Sequence, residues 1–228
     1  DVIKPKSNFL PPGVNVIYNG IDKIEPGDNR VLLEGGQVLN YDFLIVATGT
    51  NISPDETPGL TDKLWHKEIF DFYTLEGAVA LREFFRDWEG GKLVVNIAEL
   101  PFKCPVAPLE FSFLADAYFT EIGIRDKVDI TYVTPLSGAF TKPKASKMLG
   151  ELLEKKNINV IPDFYLESVD NEKKVIKSYD EQEIPFDVLT IVPVNTGNPM
   201  VERSGMGDDL NFIPTDKYTL QSKNHENI

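Results

Sequence analysis

The sequence predicts an α/β fold: a parallel sheet flanked by helices, joined to a β-meander, with parts of a second unit of the same kind around it. Three observations predict it. Short apolar runs alternate with stretches of helical periodicity through the middle of the chain. The run Lys92 to Ala98 is continuously apolar enough for a central strand, and a strand-hairpin-strand pattern occurs twice. With 228 residues, 42% of them hydrophobic, the chain can bury a full core.

From the N-terminus, Val14 to Tyr18, Arg30 to Leu33 and Phe43 to Val46 read as short strands, parted by turn signals at Asn19-Gly20, Pro26-Gly27 and Gly35-Gly36. The last strand runs into Ala47-Thr48-Gly49, where a glycine permits close backbone approach. Asn51 to Leu60 reads as a polar, Pro-rich linker. Thr74 caps a predicted helix to about Trp88, with Leu75, Val79, Leu81, Phe84 and Phe85 as its apolar stripe, and Gly90-Gly91 ends it. After the strand Lys92 to Ala98 a helix is expected from about Val106 to Ile122, with Leu109, Phe113, Ala117 and Tyr118 near one face. A strand at Val128 to Val133 makes the unit strand-helix-strand and the sheet parallel. Lys144 to Lys156 is a further helix with basic residues near its C-terminal end, as the helix dipole favours.

The chain contains an internal repeat. GVNVIYNGIDKIEPGDNRVLLEGGQVLNYDFLIVATG is echoed by NINVIPDFYLESVDNEKKVIKSYDEQEIPFDVLTIVPV. Asn15-Val16-Ile17 pairs with Asn159-Val160-Ile161, 144 positions on, and Asp42 with Asp187, 145 positions on. Each copy leads from an NVI strand through a hairpin to an aromatic-Asp pair and a buried strand. Duplication implies two nucleotide-binding-type units, the first lacking its front half, which is expected before Asp1. The start without methionine and the end in mid-pattern after NHENI also suggest a fragment. Residues 1–60 read as a partial first domain, 61–197 as the second, and 198–228 as a turn-rich and then extended return toward the first. The fold expected is three-layer and Rossmann-like, of the FAD/NAD(P)-binding type.

Between the central strand and its helix, where a nucleotide-binding unit carries a glycine-rich phosphate cradle, Glu99 to Pro108 has no glycine and offers three prolines and the sole cysteine, Cys104. The strand Val128 to Val133 ends in Thr134-Pro135-Leu136, without the acidic residue that would hold a ribose. Both absences disfavour NADH. A net charge of -13 argues against nucleic-acid binding. One cysteine makes no internal disulfide, and His66 and His225 lack metal-ligand spacing, so no metal site is expected. No apolar run approaches the roughly 18 residues that span a bilayer, and no signal peptide is visible.

YDFLIVATG, the second strand-helix-strand unit, FDVLTIVPVNTGNP and IPTDKYTLQSKNHENI together resemble the flavoproteins with two dinucleotide-binding domains. Within them PFKCPVAPLEF is similar to the loop of sulfide:quinone oxidoreductases and of the flavoprotein subunit of flavocytochrome c sulfide dehydrogenase. The resemblance implies an FAD-dependent enzyme that oxidises sulfide and passes electrons to a quinone, with Ala47, Thr48 and Gly49 near the flavin nucleotide and Cys104 as the redox cysteine beside the flavin ring. It implies that Glu110 handles protons near the quinone. The phosphate-binding motifs and the partner cysteine of such enzymes have no match here, so the chain alone is expected to hold FAD weakly or not at all. A cytoplasmic or peripheral-membrane location is expected, with membrane contact through C-terminal segments outside this chain, and an oligomer stays open. Cys104, just before a helix and beside Lys103, sits where a thiolate is favoured, although a free cysteine is more often a small buried hydrophobe. An NADH:quinone or pyridine nucleotide-disulfide oxidoreductase with a divergent loop, and a non-catalytic domain that kept the fold, remain alternatives.

Overall fold

The computed structural model describes residues 3–228, which pack as two compact units: residues up to Gly49 together with Gly197–Ile228, and Thr50–Thr196. The first unit opens with an antiparallel meander, β1 (Ile21–Glu25), β2 (Arg30–Leu33) and β3 (Val38–Asn40). Val14–Tyr18 and Phe43–Val46 are not strands, contrary to the sequence reading, and join no ladder among the described residues. β-branched and aromatic residues favour a strand only where a neighbour completes the pleated surface. No strand pairs with either run among the described residues, and Tyr18, Phe43 and Ile45 are 80%, 82% and 90% exposed.

The second unit begins with β4 (Thr50–Ser53), β5 (Ile69–Phe70), α1 (Leu75–Asp87), β6 (Gly91–Ile97), α2 (Ala107–Glu121), β7 (Val128–Val133) and α3 (Pro143–Lys155). It continues with β8 (Ile158–Ile161), the meander β9 (Leu166–Asp170), β10 (Val175–Ser178) and β11 (Glu183–Pro185), then β12 (Val188–Val192) and β13 (Val194–Gly197). Five strands form a parallel sheet in the order β5-β12-β6-β7-β8, and β4 pairs with β13. One face of the sheet, including Leu93, Val95, Ile97, Ile130 and Tyr132, packs on Leu81, Phe85, Leu109, Phe119 and Leu153 of the three helices. The other, with Val94, Leu189 and Ile191, packs on Leu166, Val169, Ile176 and Ile184 of the meander. The result is the three-layer arrangement expected. Asn51–Leu60 is not a free linker: Leu60 is fully buried, and Val169 N–H donates to the Pro58 carbonyl at 2.9 Å. Gly59 has φ +79, and a Cβ there would lie 2.0 Å from the Val169 carbonyl oxygen, so only glycine fits.

Both helix stripes are shifted from those expected. The Thr74 hydroxyl accepts from Gly77 N–H at 2.9 Å, capping α1 as expected, but Gly77, Leu81 and Phe85 face inward and Leu75 and Val79 are exposed. In α2, Leu109, Ser112, Asp116 and Phe119 are buried, while Ala117 and Tyr118 face out. The charged Asp116 hid this face from a reading by hydrophobicity. Its carboxylate accepts from Arg125 Nε at 2.7 Å and from Lys156 Nζ at 2.6 Å. Arg125 also donates to the Val128 and Lys156 carbonyls, both at 2.7 Å, so one guanidinium ties α2 to the start of β7 and the end of α3.

The C-terminal residues complete the first unit. The short helix α4 (Pro199–Arg203) places Met200 and Val201 against Ile24, Val31 and Leu33. The Ser204 hydroxyl accepts from Ile24 N–H at 2.8 Å, and Asn227 N–H groups reach Asn29 Oδ1 and the Asp42 carbonyl.

The two meanders share strand starts, register and several turn bonds at a spacing of 145. β1, β2 and β3 begin 145 positions before β9, β10 and β11. The register slips at the same place, between the pairs Ile21–Leu33 and Lys23–Leu32 in one and Leu166–Ser178 and Ser168–Lys177 in the other. Leu33 N–H to the Gln37 carbonyl has its counterpart in Ser178 N–H to Gln182, and Tyr41 N–H to Asn29 in Phe186 N–H to Lys174. Asn29 and Lys174, also 145 apart, are left-handed at φ 49 and 53. A shared bulge and shared turn conformations are hard to reach by independent routes.

Asp116 yields a stability prediction. Burial by itself raises the carboxyl pKa, but hydrogen bonds and charge from Lys156 and Arg125 outweigh it and hold the group below the ordinary carboxylate range. A depressed folded pKa contributes stability that is full above the unfolded value near ~3.9 and is lost as pH falls through the folded value. Asp116→Asn should therefore cost roughly 3 kcal/mol in urea unfolding at pH 7, with the gap to wild type narrowing below about pH 4. A gap unchanged by acid would show that the ion pairs are not its source.

Candidate functional site

The parallel pairing of the sheet decides which residues meet. β6 and β12 run in register, Ile97 opposite Val192, and β5 pairs on the far side of β12. All three strands therefore end at one edge, where three segments converge: Ala98–Val106 after β6, Pro193–Asn195 after β12, and Asp71–Thr74 after β5. From β6 the chain moves to β7 and β8 on one side, while β12 and β5 lie on the other. The junction of β6 and β12 is thus the point of reversed strand order, where α/β sheets bind ligands beyond their carboxyl ends.

Cys104 stands in this loop and is exposed, which sets aside its reading as a buried hydrophobe. Its φ is +60, left-handed, and its carbonyl accepts from Ala107 N–H at 3.1 Å, closing the turn into α2. Glu110 is exposed in the first turn of α2. The Tyr73 hydroxyl donates to the carbonyls of Lys103 and Cys104, the latter at 3.3 Å. Asn195 Oδ1 accepts from Lys103 N–H at 2.8 Å. Phe72 stacks on Phe111 at 4.7 Å and 5°, fixing the start of α2 against the segment after β5. Burial first, then the neighbouring Cys104 and Tyr132, push the Tyr73 phenol well above its usual range, so it stays a neutral donor. Burial likewise pushes Tyr132 up to about 12.

Tyr73 and Asn195 are absent from the sequence reading. Nothing in the chain links positions 73, 104 and 195 before the strand order is known. His66, which the sequence leaves as an isolated loop residue, stacks on Trp65 and has Nε2 3.2 Å from the buried Asp71 carboxylate. No group of three metal-binding side chains occurs among the described residues, nor does any helix there have the length and apolarity to cross a membrane.

A cavity of about 720 Å³ lies beside the ends of β6 and β7. Glu99, Asp163 and Asp180 line it together with Tyr165, Tyr179 and Pro135, and none of its lining residues is basic. A pyrophosphate would meet carboxylates there, with neither the glycine cradle nor a compensating cation.

Ala47, Thr48 and Gly49 belong to the other unit and are exposed. Gly49 has φ +71, and a Cβ on it would meet no atom within 4 Å. Its backbone is open to close approach, as a nucleotide-contacting glycine requires.

No family model matches the chain. The mitochondrial sulfide:quinone oxidoreductase of Mus musculus is 24% identical over 232 residues, which are 99% of this chain and 52% of that protein. That of Dictyostelium discoideum is also 24% identical, over 100% of this chain and 52% of its own length. The crystal structure of the sulfide:quinone oxidoreductase from Aquifex aeolicus superposes with a TM-score of 0.78 at 19% identity, over 93% of this chain and 50% of that one. The chain spans about half the length of the curated relatives it matches, and the structural likeness identifies the fold as the Rossmann-like one of such oxidoreductases. Over almost its whole length the chain is similar to enzymes named sulfide:quinone oxidoreductase.

Proposed function

We propose that this chain is part of an FAD-dependent sulfide:quinone oxidoreductase-like enzyme in which Cys104 is the thiol that accepts sulfur. The unit Thr50–Thr196, which begins earlier than the 61–197 read from the sequence, is its second, nicotinamide-type domain turned over to sulfur chemistry, and the residues up to Gly49 with Gly197–Ile228, in place of 1–60 and 198–228, are portions of its FAD-binding domain. The observation that carries the reading is the sole cysteine, exposed at the point of reversed strand order, in a loop where a nucleotide cradle would otherwise stand. The lack of any glycine between Glu99 and Pro108 supports a small sulfur donor over NADH.

Hydrosulfide reaches Cys104 from solvent. Its sulfur and the Cys104 thiolate join through a new S–S bond, and one proton and two electrons leave the pair. FAD, when bound, supplies the two-electron acceptor, with a quinone as the final oxidant. Ala47, Thr48 and Gly49 are the residues of this chain assigned to hold it. Cys104 stands three residues before α2, exposed and with Lys103 next to it, within reach of a small sulfur donor from solvent. Glu110, one turn into the helix, is assigned to handle protons near the quinone.

In a flavin-loaded protein that contains this chain, Cys104→Ser should abolish flavin reduction by sulfide, measured as loss of the flavin absorbance in stopped flow. Reduction at the wild-type rate would overturn the assignment. NADH should leave the same flavin oxidised, and bleaching by NADH would favour the pyridine-nucleotide reading instead. The 228 residues expressed alone should bind FAD weakly or not at all in a direct titration, and a stoichiometrically yellow preparation would contradict this.

A further inference from the structure

We infer that Tyr73 and Asn195 are positioning residues that clamp the peptide entering Cys104 from two sides and thereby set the direction of its thiol. The inference rests on the reading of Cys104 as the sulfur-accepting group and extends it to residues beyond the ends of two other strands.

Lys103 is gripped at both of its backbone polar groups. Its N–H donates to Asn195 Oδ1 at 2.8 Å, and its carbonyl accepts from the Tyr73 hydroxyl, which also lies 3.3 Å from the Cys104 carbonyl. With the peptide before Cys104 fixed and the Cys104 carbonyl engaged by Ala107 N–H at 3.1 Å, little freedom is left at residue 104. Its φ of +60 is one that a residue other than glycine keeps only where its surroundings over-determine it. In an exposed loop, side chains from elsewhere in the fold must supply that constraint.

Both clamps are themselves anchored. Asn195 is 2% exposed, and its Nδ2 donates to the Pro193 carbonyl at 2.8 Å, so the amide cannot turn without losing both bonds. Tyr73 N–H donates to Asp71 Oδ1 at 2.9 Å, and Asp71, fully buried, also accepts from Thr74 N–H at 2.6 Å and from the Thr74 hydroxyl at 2.9 Å. A reacting group misplaced by about 1 Å loses up to a hundredfold in rate, so a clamp of this kind acts on the limiting rate more than on substrate affinity.

The test uses two readouts. In the full chain, amide hydrogen exchange at Lys103 should accelerate at least tenfold in Asn195→Ala, while the amides of β7 keep wild-type protection. In the flavin-loaded protein that contains the chain, Tyr73→Phe and Asn195→Ala should each lower the limiting rate of flavin reduction by sulfide about tenfold, with the half-saturating sulfide concentration within about twofold of wild type. Tyr73→Phe keeps the ring and its packing, so it decides the matter if Asn195→Ala does not fold. Limiting rates within about twofold of wild type in Tyr73→Phe, beside an inactive Cys104→Ser, would overturn the clamp and leave the thiol reading standing. An active Cys104→Ser would overturn the thiol reading, and the Lys103 exchange would still judge the clamp by itself.

Discussion

The in-register parallel pairing of β12 with β6 is the constraint on which the site depends. These strands are some 95 residues apart in sequence, yet Val188 to Val192 lie opposite Leu93 to Ile97 without a slip. Because parallel strands end at the same edge, this pairing brings Asn195 to the loop of Cys104, and β5, paired in turn to β12, brings Tyr73. A shift by one residue would turn Val94 and Leu189 out of the meander-side core and would also carry the amide of Asn195 away from Lys103. Core packing and site geometry are thus one requirement.

Much of the fold could be read from the residues, and the reasons differ by element. β6 and β7 were legible because strands buried on both faces are continuous apolar runs, and α1 because Thr74 caps it in the ordinary way. The duplication was legible as letters, and the coordinates sharpen it into a shared bulge and shared turn bonds at a constant spacing. The buried face of α2 was not legible, because a carboxylate sits on it and only Arg125 and Lys156, from later elements, make that tolerable. Val14–Tyr18 and Phe43–Val46 have strand composition, but a strand also needs a neighbour, and composition carries no record of one.

The candidate site divides in the same way. Cys104 and the missing glycines were visible because they break a local pattern. Tyr73, Asn195 and the pairing of His66 with Asp71 were not, since each depends on contacts fixed only by strand order or by a turn. The cavity rimmed by Glu99, Asp163 and Asp180 is of the second kind too: three carboxylates far apart in sequence converge only when the meander folds over the end of the sheet.

The unpaired runs of the first unit have a consequence for handling the molecule. Each offers apolar side chains, Val16 and Tyr18 on one and Phe43 and Ile45 on the other, along backbone that no strand covers among the described residues. Such edges template the addition of foreign strands, and Pro11-Pro12 stand only at the entry to the first of them. Prepared by itself at high concentration, the polypeptide offers these runs of its first unit as points of self-association.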